Sequence, residues 1–297
     1  MSDFRSGFVA LVGKPNVGKS TFVNHIMGQR ITIVSPKPQT TRRRILGILS
    51  TPSSQAVFVD TPGFGKARDA LGRRMLSFAK GGIRDADVLI LMAEAGSPPG
   101  DEDLALLNFA RARIREVPAI LLLNKVDRLK DKSLLLPVMD AWHREAPFRE
   151  LIPVSALTGE NVDRVLNIVT ELLPPGPPLF PLDQKTEQDE RSWAGEIIRE
   201  KVLYATRDEV PHSVAVQVEE MREGKTPGVR YIEAILYVEK ESQKKILVGK
   251  GGEMLKRIGE HARKDLEKWL GEKVFLSLWV KVKPGWRERE EVLRWLG

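Results

Sequence analysis

The sequence predicts two joined domains: an α/β domain with a mostly parallel sheet and helices on both faces, then a smaller α+β domain. Three observations carry this: short apolar runs alternate with amphipathic stretches over residues 1–173, prolines crowd residues 174–188, and the rhythm changes over 189–297. A length of 297 residues suits two domains that each bury a core. The 42% hydrophobic and 29% charged content belongs to a globular chain and excludes disordered or fibrous classes.

In the first domain, strands are expected near 8–12, 45–50, 55–59, 87–93, 118–123 and 151–154, each a short β-branched or Leu-rich run. Helices are expected near 19–28, 68–84, 101–115, 131–145 and 160–172, where apolar residues recur at helical spacing; Leu104, Leu107 and Ala110 face the core. Residues 174–181 hold five prolines in eight positions, which excludes helix or inner strand and predicts a stiff extended connector. Beyond it come a helix at 189–205, strands at 213–221 and 229–239, two short helices flanking a glycine-rich turn, and a strand at 273–283. That last strand alternates, with Val274, Leu276, Leu278, Val280 and Val282 on one face and Lys273, Ser277, Lys281 and Lys283 on the other. The tail 286–295, with Leu293 and Leu296, reads as a helix packed on this domain, and the remaining tryptophans read as core, not as stacking platforms.

The absence of cysteine excludes disulfides, zinc-thiolate sites and iron–sulfur clusters and fits a reducing, cytoplasmic setting. His25, His143, His212 and His261 show no metal-ligand spacing. Apolar runs fall far short of the ~20 residues of a membrane span, and the run at 8–12 is too short for a signal peptide, so neither insertion nor export is expected. A net charge of +7 favours a polyanionic partner, nucleic acid or a membrane surface.

Gly13-Lys14-Pro15-Asn16-Val17-Gly18-Lys19-Ser20, followed by Thr21, fits the phosphate-loop pattern and lies between an expected strand and helix. Backbone N–H groups of such a loop wrap phosphates, Lys19 brings a cation to the β- and γ-phosphates, and the Ser20 hydroxyl can ligate Mg²⁺. The motif occurs once, and it does not choose the base. Asn124-Lys125-Val126-Asp127 does, because a carboxylate at the C-terminal edge of the sheet can accept from guanine N1–H and its 2-amino group, which adenine cannot offer. Ser155-Ala156-Leu157 adds a backbone N–H suited to guanine O6, so GTP and GDP are favoured over adenine nucleotides. Asp60-Thr61-Pro62-Gly63 ends a strand; Asp60 is expected to hold Mg²⁺ through water, and the Gly63 N–H to sense the γ-phosphate. Thr41 is the expected second hydroxyl ligand of Mg²⁺, with Thr40 the alternative; Arg42, Arg43 and Arg44 beside them are either a solvated edge or an RNA contact. The catalytic candidates are therefore Lys19, Thr41, Asp60 and Gly63.

Gly249-Lys250-Gly251-Gly252 has G-x-x-G spacing, preceded by Val248 and followed by a helix with Ile258, Ala262 and Leu266 on one face. In the order helix–strand–strand–helix–turn–helix–strand this is a KH-type RNA-binding arrangement. Glycines admit the RNA backbone, Lys250 meets phosphate, and Lys256 and Arg257 extend the basic side. The C-terminal region is nearly neutral as a whole, while residues 244–268 are locally basic.

These motifs, in this order over essentially the whole chain, resemble the Era family of bacterial GTPases, within the TrmE–Era–EngA class. The resemblance implies a type II KH topology, slow intrinsic hydrolysis, and an apolar residue, here Phe64, where many small GTPases place a water-orienting glutamine. The family leads one to expect a histidine soon after Gly63, whereas this chain reads Phe64-Gly65-Lys66. Asn16 resembles the asparagine with which relatives ligate K⁺. The resemblance further implies binding to the 3′ end of 16S ribosomal RNA, a role in small (30S) subunit assembly, a monomer when free, and peripheral contact with the cytoplasmic face of the cell membrane. Two other functions are weighed: an EngA-like large-subunit assembly GTPase, which should carry two phosphate loops, and an RNA-binding module whose GTP site is chiefly structural.

Overall fold

The computed structural model describes residues 4–65, 67 and 69–295; Lys66 and Leu296, named above, lie outside them. The chain divides into two compact units, one of Met1–Thr32, Thr41–Arg68 and Gly72–Glu187, the other of Ile33–Thr40, Asp69–Leu71 and Gln188–Gly297.

In the first unit the apolar runs form β1 (Arg5–Val12), β2 (Ile45–Ser50), β3 (Ser54–Asp60), β4 (Val88–Glu94), β5 (Ala119–Asn124) and β6 (Glu150–Pro153). They pair in the order β2-β3-β1-β4-β5-β6, with β2 antiparallel to β3 and every other pair parallel. The central strands read as unbroken Val, Leu and Ile because both faces are covered. One face carries Val9, Leu11, Ile90 and Leu122 against α1 (Lys19–Met27) and α5 (Val162–Leu172) through Phe22, Val165 and Val169. The other carries Ala10, Val12, Leu91 and Leu121 against α2 (Ala70–Asp85), α3 (Asp101–Glu116) and α4 (Leu135–Glu145) through Ile83, Leu106 and Trp142. Helix α4 starts later than its sequence pattern suggests, because Asp131 accepts from the Ser133 N–H at 2.8 Å and holds a separate turn at Lys132–Leu134.

The proline-rich stretch is not a bare connector. Ser6 Oγ donates to the Pro177 carbonyl at 2.6 Å, Gln55 Oε1 accepts from the N–H groups of Leu179 and Phe180, and the Ile48 N–H donates to the Lys185 carbonyl at 2.9 Å. Proline-poor positions supply the donors that the prolines lack, so the segment is fastened to the sheet's β2–β3 side.

The second unit holds α6 (Glu190–Ala205), β7 (Ala215–Glu223), β8 (Val229–Val238), α7 (Glu241–Val248), α8 (Glu253–Leu270), β9 (Lys273–Val282) and α9 (Glu290–Trp295). Asp189 caps α6 by accepting from the Ser192 N–H at 2.9 Å. The sheet order is β7-β8-β9, antiparallel then parallel, and its inner face packs Ile232, Ala234, Val274 and Val280 against Ile197, Ile258, Ala262 and Leu266. Two expectations are corrected here. Helix α8 is long, 18 residues, because its apolar stripe runs unbroken from Met254 to Leu270. Trp279 is not core: it is 57% exposed, since odd-numbered β9 positions face away from the helices; Trp142 and Trp193 are buried as expected, and Trp269 packs partly buried against the core. No helix among the described residues is long and apolar enough to cross a membrane.

Candidate functional site

The phosphate-loop residues lie between β1 and α1, where strand and helix fix both ends of the loop. Gly18 has φ +107°, a left-handed conformation that disfavours side chains, and a Cβ there would sit 2.1 Å from Asn124 Nδ2. That amide donates to the Val17 carbonyl at 2.7 Å, so the base-recognition motif and the phosphate loop are tied directly. Asn124 Oδ1 accepts from the Ala156 N–H at 2.9 Å, and Asp127 Oδ1 accepts from Ser155 Oγ at 2.6 Å. The three segments expected to hold a guanine nucleotide thus converge at the C-terminal ends of β1 and β5 and just beyond β6. Val126 is buried, while Asp127 and Leu157 are exposed at the rim; Lys125, at φ +70°, reaches Glu94.

Lys19 is 5% exposed, and its Nζ donates to the carbonyls of Gly13 and Lys14 at 3.0 and 2.9 Å. Burial lowers its pKa to about 8 against the opposing pull of Asp60. Asp60 is fully buried, and burial pushes its pKa up, countered by Lys19 and by hydroxyls of Ser20, Thr32 and Thr41. Ser20 Oγ stands 2.7 Å from Asp60 Oδ2 and 2.8 Å from Thr41 Oγ1, and Thr41 Oγ1 is 3.4 Å from the same carboxylate oxygen. The Thr40 hydroxyl turns elsewhere, to Ser35 and to the Lys37 carbonyl. Asp60 Oδ1 is buried with no hydrogen-bond partner. Two hydroxyls and a carboxylate with one unsatisfied oxygen, beside a phosphate loop, form the all-oxygen donor set that Mg²⁺ takes together with water and substrate phosphate, so the residues fit that ion.

Gly63 closes over the loop, and a Cβ on it would meet Pro15 backbone atoms at 2.7 Å. The Phe64 N–H donates to the Gly13 carbonyl at 3.0 Å, and its ring packs on Phe109 at 5.7 Å between centroids. Thr61 Oγ1 donates to the Leu11 carbonyl at 2.6 Å, and Pro62 is buried. Arg42 is 3% exposed and so is no solvated edge and no surface contact; Arg44 alone of the three is exposed. Asn16 is exposed with φ +63°.

Some participants escaped sequence inspection. Thr32 Oγ1 lies 3.2 Å from Asp60 Oδ2, and Asp103 pairs with Lys14 at 2.7 Å. Only Asp103 carried a signal, as the third residue of a helix opening on Gly100, whose N–H donates to it at 3.0 Å. Within the second unit, Arg199, 1% exposed and paired with Glu196, donates to the Thr40 carbonyl, while Glu200 Oε1 accepts from the Val34 N–H at 3.2 Å.

In the second unit, Gly249, Gly251 and Gly252 all have positive φ, at 73°, 59° and 85°, so the turn between α7 and α8 can be made only by glycine or at a cost. Lys250, Lys256 and Arg257 are exposed around it, next to half-exposed Ile246 and partly buried Val248. The exposed cations therefore lie close to the glycine turn along the chain.

Fold and site together define a phosphate-loop GTPase domain followed by a KH domain. The profile of the 50S ribosome-binding GTPase family matches residues 8–125, and that of the KH domain matches residues 209–287. Two crystal structures are each 41% identical over 99% of this chain and 99% of theirs, with TM-score 0.95: an Era variant of Aquifex aeolicus bound to GDP and aluminium fluoride, and Era with MgGDPNP and nucleotides 1506–1542 of 16S ribosomal RNA. The chain belongs to the Era family and is a GTPase.

Proposed function

We propose that this chain is a GTP-driven switch that binds the 3′ end of 16S ribosomal RNA and serves assembly of the small ribosomal subunit. Residues 1–173 supply the hydrolytic part and 189–297 the RNA-binding part. The observation that carries the reading is the cluster of Ser20, Thr41 and the half-satisfied Asp60 carboxylate beside Lys19, in a chain that also presents a Gly249–Gly252 turn ringed by cations.

Residues 13–21 would wrap the triphosphate, Asp127 would select guanine, and Ser20 and Thr41, with Asp60 through water, would hold Mg²⁺. When bound, Mg²⁺ neutralises charge developing between the β- and γ-phosphates. Lys19 would bring its ammonium to those phosphates, and the Gly63 N–H would meet the γ-phosphate. Phe64, packed on Phe109, has no polar group with which to orient water, which supports a slow intrinsic rate. Asn16 would hold K⁺, a cation able to stand in for an arginine finger; equal turnover in Na⁺ and K⁺ buffers of matched ionic strength removes that role.

Thr41 also links the nucleotide to RNA. The Thr40 carbonyl is held by Arg199 on α6, so a nucleotide that engages Thr41 acts on a segment anchored to the RNA-binding unit. Cytoplasmic residence with peripheral contact at the membrane's inner face, and a monomeric free state, complete the reading; the net charge of +7 supports contact with anionic surfaces.

The test is GTP turnover with and without an oligonucleotide matching the 16S 3′ end, in wild type and Gly252→Asp. Stimulation in wild type that the variant loses is expected. Turnover indifferent to the oligonucleotide in both proteins sinks the coupled reading.

A further inference from the structure

The face of the β7–β8–β9 sheet turned away from α6 and α8 carries an aromatic ladder. Arg222, Tyr231 and Phe275 occupy one register row across the three strands. The Arg222 guanidinium lies 4.4 Å from the Tyr231 ring centroid, and Tyr231 stacks on Phe275 with centroids 5.7 Å apart and planes inclined by 11°. Strand β9 is the edge of the sheet, and among the described residues the stack has no further member beyond Phe275, which is 60% exposed. Trp279, 57% exposed, follows four residues later on the same face, about 13 Å along the strand.

The flanking charges are ordered in the same way. Glu220 is bound by Arg222 Nε at 2.7 Å, and Glu233 accepts from the Tyr231 hydroxyl at 2.6 Å, so two acidic groups of this face are engaged by the ladder itself, while the exposed Glu219 stands near Tyr237, further along β8. Lys273 and Lys281, exposed on β9 on either side of the two rings, have no ion-pair partner among the described residues. Between the rings sits the polar Ser277, which breaks the apolar surface that a protein partner would bury. Two separated planar rings, each bordered by a cation on an exposed strand, match unpaired bases on a phosphate backbone: rings stack any base, and lysines meet the phosphates.

We propose that Phe275 and Trp279, with Lys273 and Lys281, form a second RNA-contact strip, on which single-stranded RNA leaving the Gly249–Gly252 turn stacks two of its bases. This rests on the reading of the second unit as RNA-binding. It extends that reading by assigning the outer sheet face to the same strand of RNA, and it identifies the bound feature as base planes, not a base sequence.

The test compares an RNA tetranucleotide, the length a KH turn clamps, with a dodecanucleotide that begins with the same four bases, both single-stranded and fluorescently labelled. The proteins are wild type, Phe275→Leu/Trp279→Leu, and Gly252→Asp, all full chain. Both substituted side chains are exposed, and retained tetranucleotide binding reports that the unit is folded. The double variant is expected to bind the dodecanucleotide about tenfold more weakly, to bind the tetranucleotide as wild type does, and to lose the RNA-induced quenching of tryptophan emission. Wild-type affinity for the dodecanucleotide in the double variant, with Gly252→Asp losing both oligonucleotides, overturns the strip and gives the face to a protein partner. Failure of wild type to bind either oligonucleotide removes the RNA reading of the whole unit, and the strip with it.

Discussion

The two units present their chemistry in opposite ways. In the first, the decisive groups apart from the rim residue Asp127 are buried and multiply held: Lys19 by two carbonyls, Asp60 by three hydroxyls, Asn124 by the carbonyl of Val17 and the N–H of Ala156. In the second, the candidate groups are exposed: Lys250, Lys256 and Arg257 around a glycine turn, and Phe275 and Trp279 on an edge strand. Burial strengthens each electrostatic contact and leaves little tolerance for change. Exposure spreads binding over many weak, salt-screened contacts. The first unit should therefore respond to single substitutions by near-complete loss, and the second by graded loss.

The largest effect is expected at Lys19. Lys19→Ala removes a buried cation from the phosphates and leaves the Gly13 and Lys14 carbonyls without their donor, so kcat should fall by about a thousandfold. Single-turnover assays with saturating GTP check this, and a thermal melt within a few degrees of wild type separates chemistry from unfolding. A fall of less than tenfold would break the contrast at its strongest point. Next comes Asp127→Asn, which, on the proposed reading, exchanges an acceptor carboxylate for an amide at the purine edge. GTP affinity should drop by about a hundredfold while xanthosine triphosphate gains, read by competition binding. Third is Gly63→Ala, whose Cβ would press on Pro15 backbone atoms that cannot yield. The variant should lose about tenfold in affinity for a non-hydrolysable GTP analogue relative to GDP, because on the proposed reading the Gly63 N–H meets the γ-phosphate, which GDP lacks.

Legibility in the sequence follows the same division. The central strands were readable because strands covered on both faces are nearly continuous Val, Leu and Ile, as in residues 88–93 and 119–123. The nucleotide segments were readable because backbone geometry demands glycine or a particular donor at fixed spacing, as at Gly18 and Asp60. Thr32 and Arg199 could not be found this way: each meets its partner across a long sequence separation, Thr32 to Asp60 and Arg199 to Thr40, and no local pattern reports such a meeting. The anchoring of the proline-rich stretch was hidden likewise, since its donors and acceptors come from Ser6, Ile48 and Gln55. Phe275 and Trp279 are a different case. Period-two alternation already places them with Lys273, Ser277 and Lys281, and only the general preference of aromatic residues for the core obscures it.

The smallest effect, and the sharpest test of graded loss, is expected at Lys250. Its ammonium is exposed in a turn whose shape is set by three glycines with positive φ, so Lys250→Ala alters no backbone and empties no core. On the proposed reading, what it removes is one phosphate contact. RNA affinity should fall only about three- to fivefold, and the slope of log K against log salt should shrink by about 0.7, the counterion released per phosphate on a single strand. Titrations of a labelled 16S 3′-end oligonucleotide across a salt series give both numbers. An affinity loss without a change of slope would mean that Lys250 acts by shaping the turn and not by meeting phosphate, and the second unit would then resemble the first, with its function stored in geometry.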